Sequence, residues 1–280
     1  MVRHRPKPRQ IQILFHYFLA TFLFFYLLYL HVLHTSFSSP PSAPSRTCAI
    51  FFYGLAKNLP ITLPSTFQKI ILPNPTCTIY YQTQNLTHTT TPHALWDSEN
   101  GTISYTALLS SNISNILITP PSPSPYLPYL LSKCCSPGST PTSMSNLHQS
   151  WSSLSLLIPF FTSYSHIGIF RNDVVFIDEV NIFESDFAIP RWGSFWGFND
   201  RMFYGKKENA VKWAERFKRL KEFDEPILKG ETYLKWLLKD EKIEFVDTCF
   251  LRVRVDGRIK VNDCRAGDRP YDPANPHLEQ

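Results

Sequence analysis

Apolar positions along this chain fall into two rhythms. Short blocks of β-branched and aromatic residues predict buried strands: Ala49-Ile50-Phe51-Phe52-Tyr53, Ile167-Gly168-Ile169-Phe170, and Val174-Val175-Phe176-Ile177 after Asp173. Longer stretches repeat every three or four residues and predict helices. Leu147, Trp151, Leu154 and Ile158 place one over 146–158, and Glu231 to Lys239 forms another that buries Leu234, Leu237 and Leu238. Between them Ala210, Trp213, Ala214, Phe217 and Leu220 make a stripe, leaving Lys212, Glu215, Arg216 and Lys218 as a solvated face. Near the start, Ser65 is read as the cap of a helix over Thr66 to Leu72, followed by a strand from Thr76 to Gln82. Strand, helix, strand in this order makes the two strands parallel, so the fold class is α/β with helices covering a sheet.

The most apolar run lies before this pattern. Ile11 to Leu33 carries no Lys, Arg, Asp or Glu and has the length of a bilayer-spanning helix, while Arg3, Arg5, Lys7 and Arg9 precede it. Positive charge on that side predicts an uncleaved signal anchor with a cytosolic tail (1–10), a span (11–33) and everything beyond in the lumen, the topology of a single-pass type II protein of the Golgi or endoplasmic reticulum. A Ser/Pro-rich stem (34–47), a domain (48–265) and a polar tail (266–280) complete the organisation. Sequons at Asn85, Asn100 and Asn112 and six cysteines agree with a secretory location. The formal charge of +5 resides mostly in the basic tail, so nothing points to nucleic acid.

Charge is unevenly spread. Between Ile11 and Phe170 only Arg46, Lys57, Lys69, Asp97, Glu99 and Lys133 are charged, and the Ser/Thr/Pro-rich excursion at 83–145 holds too many breakers to predict regular structure. Polar chemistry is therefore expected in the second half. Arg171 and Asp173 stand at the end of a buried strand, where α/β sheets bind ligands; they are read either as a ligand or metal site or as an Arg–Asp turn pair, and the strand end as solvated. Asp200 and Glu231 are further carboxylates in apolar surroundings; the first could pair with Arg201 and the second could complement a helix dipole.

A closing hairpin can be placed in register. A three-residue loop, Val255-Asp256-Gly257 with Gly257 left-handed, pairs Val253 with Ile259 and Leu251 with Val261 on one apolar face. The other face then gathers Arg252, Arg254, Arg258 and Lys260, a candidate contact for a diphosphate or else a solvated ribbon. The same alternation puts Cys249 and Cys264 on opposite faces and argues against a disulfide between them.

The blocks AIFFYGLAKNL, TIYYQTQNL, SNLHQSWSSLSLL, IGIFRNDVVF, GFNDRMFYG, GETYLKWLL and FLRVRVDGRIKVNDC, in this order, resemble a eukaryotic membrane-anchored domain family similar to GT-A glycosyltransferases. That resemblance implies a Rossmann-like mixed sheet flanked by helices, a nucleotide-sugar donor, a glycan acceptor and Mn²⁺ or Mg²⁺ on an acidic motif. Arg171-Asn172-Asp173 occupies the motif's place with a single carboxylate. Expected roles follow: Asp173 for metal, Arg171, Asp173, Arg252 and Arg254 for donor, and Asp200 and Glu231 for acceptor and base. An inactive, membrane-tethered domain that binds glycans or scaffolds other proteins is the alternative.

Overall fold

The computed structural model describes residues 47–91, 99–121, 125–134, 140–260 and 263–264. The predicted basic tail, span and most of the stem lie outside them, as does the polar tail. No helix among the described residues is long and apolar enough to cross a membrane.

The first element is the expected strand, β1 (Cys48–Tyr53), every residue of which is buried. Helix α1 (Leu59–Thr66) starts well before the predicted cap and runs on through a π-helical turn, Phe67–Ile71. Pro60 explains the early start, because its missing N–H costs nothing in a first turn. Ser65 is consequently inside the helix, its Oγ donating to the Thr62 carbonyl and accepting from the Phe176 N–H. Strand β2 (Thr78–Gln84) follows and pairs parallel to β1, as the strand-helix-strand reading requires.

The excursion is more regular than its breakers suggested. It holds a hairpin, β3 (His88–Thr91) and β4 (Glu99–Thr102), a short α2 (Thr106–Leu109), strand β5 (Asn115–Thr119) and α3 (Leu127–Ser132). Strand β5 joins the main sheet parallel to β2. Five residues suffice for an edge strand when a neighbouring ladder supplies the hydrogen bonds, so local Ser and Pro content mispredicts it.

Helix α4 (Pro141–Leu157) begins five residues earlier than its apolar stripe, closed by a capping box between Thr140 and Ser143. Then come β6 (His166–Arg171), β7 (Val174–Phe176), β8 (Phe187–Pro190), β9 (Met202–Lys206), α5 (Lys207–Ala214), α6 (Gly230–Leu237), β10 (Glu244–Val246) and β11 (Phe250–Arg252). Seven strands form one sheet in the order β10-β8-β9-β6-β1-β2-β5. All are parallel except β9, which runs against β6 and β8. This is a Rossmann-like mixed sheet with helices on both faces.

Period-two alternation assigns side chains to those faces. Ile50 and Phe52 pack with Leu59, Leu63 and Phe176 on one side, whereas Ala49, Phe51 and Tyr53 pack with Leu154, Trp213 and Leu234 on the other. With both faces covered, β1 needs no polar position, which is why its sequence is continuously apolar. Strand β7 leaves the sheet and pairs antiparallel with β11, bringing the closing segment beside the end of β6.

Among the described residues, disulfides Cys48–Cys77 and Cys249–Cys264 staple the fold. The second corrects the sequence reading. The hairpin ends in a turn at Asp263 and Cys264, and Cys264 is left-handed at φ 67°, so strand alternation does not extend to it. Arg216 is a second correction. Helix α5 stops at Ala214, the helical period breaks there, and the Arg216 guanidinium is fully buried 4.3 Å from the Trp213 ring centre.

Candidate functional site

A cleft of about 600 Å³ opens where β1, β2 and β6 end. Parallel strands all point their carboxyl ends to this edge, so the loops after them converge: Gly54, Leu55 and Lys57 after β1, Gln84 at the end of β2, Arg171 and Asp173 around the end of β6. The reversed strand β9 starts at the same edge, which brings Asp200 and Arg201 to the cleft. Helix α6 adds Gly230 and Glu231, α4 adds a polar flank, the end of β11 adds Arg252 and the segment after it adds Arg254. All six residues expected from the sequence therefore line one cavity.

At one end the Arg171-Asn172-Asp173 turn is locked from behind. Asn172 Nδ2 donates to the carbonyls of Gly54 at 2.9 Å and Gln82 at 3.1 Å, tying three strand ends together. Its neighbours are thereby aimed at the cleft. Asp173 is not the solvated strand-end carboxylate expected; its side chain is only 4% exposed. Arg171 engages both of its oxygens, Nε to Oδ1 at 2.8 Å and Nη2 to Oδ2 at 2.5 Å, and Lys57 Nζ stands 3.7 Å from Oδ2. Burial alone would raise this carboxyl, but Arg171 and Lys57 outweigh it and hold the pKa down at about 2.

The opposite end has the reverse balance. Arg201, rather than pairing with Asp200, donates through Nη1 to the Gly193 carbonyl at 3.0 Å and meets Glu231 Oε1 at 3.5 Å through Nη2. The Asp200 carboxylate is half-buried and takes no hydrogen bond or ion pair among the described residues, while its backbone carbonyl accepts from the buried Tyr53 hydroxyl at 2.8 Å. Burial and the charge of Asp200 push Glu231 up to about 7, with Arg201 only partly opposing them. Two carboxyl groups in one pocket whose environments separate their protonation are the usual basis of acid–base assignments.

The wall beside Glu231 is held by close backbone packing. The Phe198 N–H donates to the Glu231 carbonyl at 2.9 Å, and a Cβ on Gly197 would lie 1.9 Å from that same oxygen, so only glycine fits. Just before it Phe195 and Trp196 are both left-handed, with φ 41° and 76°. The Phe195 ring lines the cleft with its centre 5.4 Å from the Arg201 guanidinium.

The closing hairpin keeps part of its expected register. Val253 pairs with Ile259 across a loop in which Gly257 is left-handed at φ 86°, while Val261 lies outside the described residues. The charged face divides. Arg252 and Arg254 turn into the cleft; Arg252 is also held by both oxygens of Asp263, at 2.8 and 2.7 Å, whereas Arg258 pairs outside with Asp256.

Lys57 and Gln84 escaped the sequence reading, although each closes or follows a strand end. Ser143, Asn146, Ser150 and Ser153 also line the cleft, and their spacing is a helical polar stripe legible beside the apolar one.

The residues present do not fit the expected divalent cation. Both oxygens of Asp173 already serve a guanidinium, Lys57 and Arg171 would repel a second cation, and no group of three His, Cys, Asp or Glu able to hold a metal occurs among the described residues.

No family model matches the chain, and no curated protein matches it. Among solved structures it is similar to two crystal structures of the glycosyltransferase GlyE of Streptococcus pneumoniae TIGR4. The apo form aligns at 16% identity and a TM-score of 0.38, over 72% of this chain and 46% of that one. The other aligns at 12% identity and the same TM-score, over 72% and 45%. This chain thus spans less than half the length of those neighbours.

Proposed function

We propose that this domain is a glycosyltransferase that moves a sugar from a nucleotide-sugar donor to a glycan acceptor. The observation that carries the reading is the division of one cleft at the strand carboxyl edge into a cation-rich end and a carboxylate end. Donor cleavage breaks the bond between the sugar's anomeric carbon and the diphosphate, leaving negative charge that Lys57, Arg171, Arg252 and Arg254 are placed to neutralise. The acceptor oxygen forms the new bond and its proton passes to a carboxylate. Glu231, raised to about 7, is the base, because a base titrating near the working pH combines availability with driving force. Asp200, with no partner among the described side chains, is placed to accept a hydrogen bond from another acceptor hydroxyl.

A secretory setting belongs to the same proposal. Two disulfides support an oxidising compartment, and the sequon residues Asn85, Asn100 and Asn112 are all exposed. The anchoring span rests on residues 11–33 of the sequence, and the type II topology on the basic residues before it, Arg3, Arg5, Lys7 and Arg9.

Incubating the full chain with a panel of nucleotide sugars and following release of nucleoside diphosphate tests the activity. At least one donor should be turned over by the native protein and not by Glu231→Gln. Retention of full turnover in that variant would remove Glu231 as base; binding of glycans with no donor bound or cleaved would replace the transferase reading with the tethered glycan-binding one.

A further inference from the structure

We infer that this cleft binds the diphosphate of a nucleoside diphosphate without a divalent cation, with the fixed cations Lys57, Arg171, Arg252 and Arg254 standing where a metal would act. The inference rests on the glycosyltransferase reading and deepens it.

Three observations carry it. First, the carboxylate at the strand end is committed inward: Asp173 is buried and its two oxygens are bridged by the fork of Arg171. A metal would have to displace that guanidinium from a buried, charge-assisted pair. Second, the nearby Asp263 is committed in the same way to Arg252, at 2.8 and 2.7 Å. Each acid on this side therefore holds an arginine in place, with both of its oxygens already engaged by cationic donors. Third, the signs do not balance. Lys57, Arg171, Arg201, Lys229, Arg252 and Arg254 line the cleft against Asp173, Asp200 and Glu231, with Asp263 behind Arg252, and burial raises Glu231. A polyanion fits the surplus of positive charge, and a dication adds to it.

Arginine forks match phosphate oxygens in pairs, so a pre-set array gives direction as well as charge. The acids supply the pre-setting: Asp173 holds Arg171 and stands near Lys57, and Asp263 holds Arg252.

Equilibrium binding to the full chain, in detergent, tests this with uridine diphosphate, guanosine diphosphate and inorganic pyrophosphate as probes, in excess EDTA and in saturating Mn²⁺. At least one probe should bind in EDTA with an affinity that Mn²⁺ does not improve and that falls as ionic strength rises. Lys57→Ala and Arg254→Ala should each weaken that binding about ten- to a hundredfold, the loss expected for one charge-assisted contact. Binding that appears only with Mn²⁺ would overturn the inference and leave the transferase reading standing. Binding in EDTA that both variants leave unchanged would overturn the assignment of the cations, and absence of binding in either medium would overturn the inference and the reading together.

Discussion

The two ends of the cleft use the same kind of pair, an arginine facing a carboxylate, with opposite results. Arg171 clasps Asp173 through two short hydrogen bonds and, with Lys57, holds it at about 2; Arg201 touches Glu231 at 3.5 Å and leaves it near 7. Asp173 is the more deeply buried of the two, 4% exposed against 17%, so burial does not explain why it is the stronger acid. What differs is the neighbour. Asp173 has a second cation beside it, whereas Glu231 has a second acid, Asp200, and an arginine already shared with the Gly193 carbonyl. A salt bridge in a structure therefore says little about whether its acid can accept a proton. The local count of charges decides that.

The contrast breaks most sharply by substitution. Glu231→Gln should lower turnover about 10²- to 10⁴-fold, the range for losing a general base, with no loss of thermal stability. Next in size, Asp173→Asn should destabilise the protein by about 3–5 kcal/mol, because it leaves the buried Lys57 and the half-buried Arg171 without their acid. Urea denaturation of the variant beside the parent measures this, and an unchanged midpoint would mean that the pair contributes nothing.

Titration sharpens the comparison further, since the two acids act in opposite windows. Asp173 is depressed from 3.8 to about 2, so its stabilisation is present above pH 3.8 and lost as pH falls through 2. Glu231 is raised from 4.5 to about 7, so the folded state is favoured below pH 4.5 and loses that contribution as pH rises through 7. Each shift corresponds to about 2–4 kcal/mol at about 1.4 kcal/mol per unit. Stability measured against pH should therefore rise, level and fall, and Glu231→Gln should remove the fall alone. The smallest effect lies at the rim: Trp196→Gly should stabilise by up to about 1 kcal/mol through relief of the left-handed backbone at φ 76°, seen as a small rise in melting temperature.

The sequence made the scaffold readable where burial repeats simply. Strands β1 and β6 stand out as apolar runs because both sheet faces are covered, and α4 and α6 show their stripes because one face is not. The residues of the cleft were legible as charge at strand ends, and an Arg171–Asp173 turn pair as one of two readings, but not the burial and two-pronged geometry of that pair. Arg171 and Asp173 are two positions apart, and nothing in that spacing says that both oxygens of the acid are taken. Long-range geometry hid the rest. Strand β5 owes its structure to β2, Arg216 turns inward only because α5 ends at Ala214, and the Cys249–Cys264 bridge depends on a turn that alternation cannot foresee.

One contact has a mechanical consequence. Because the Phe198 amide is bonded to the Glu231 carbonyl and Gly197 lies against the same oxygen with no room for a side chain, the loop carrying Phe198, Asn199 and Arg201 is latched to the first turn of α6. The latch makes that end of the cleft one rigid body: if the rest of the wall breathes, acid and arginine travel together and their spacing is kept. Hydrogen–deuterium exchange should report it, with the Phe198 amide exchanging as slowly as those at the centre of β1, although it lies in a loop between two exposed aromatic residues and a half-buried aspartate.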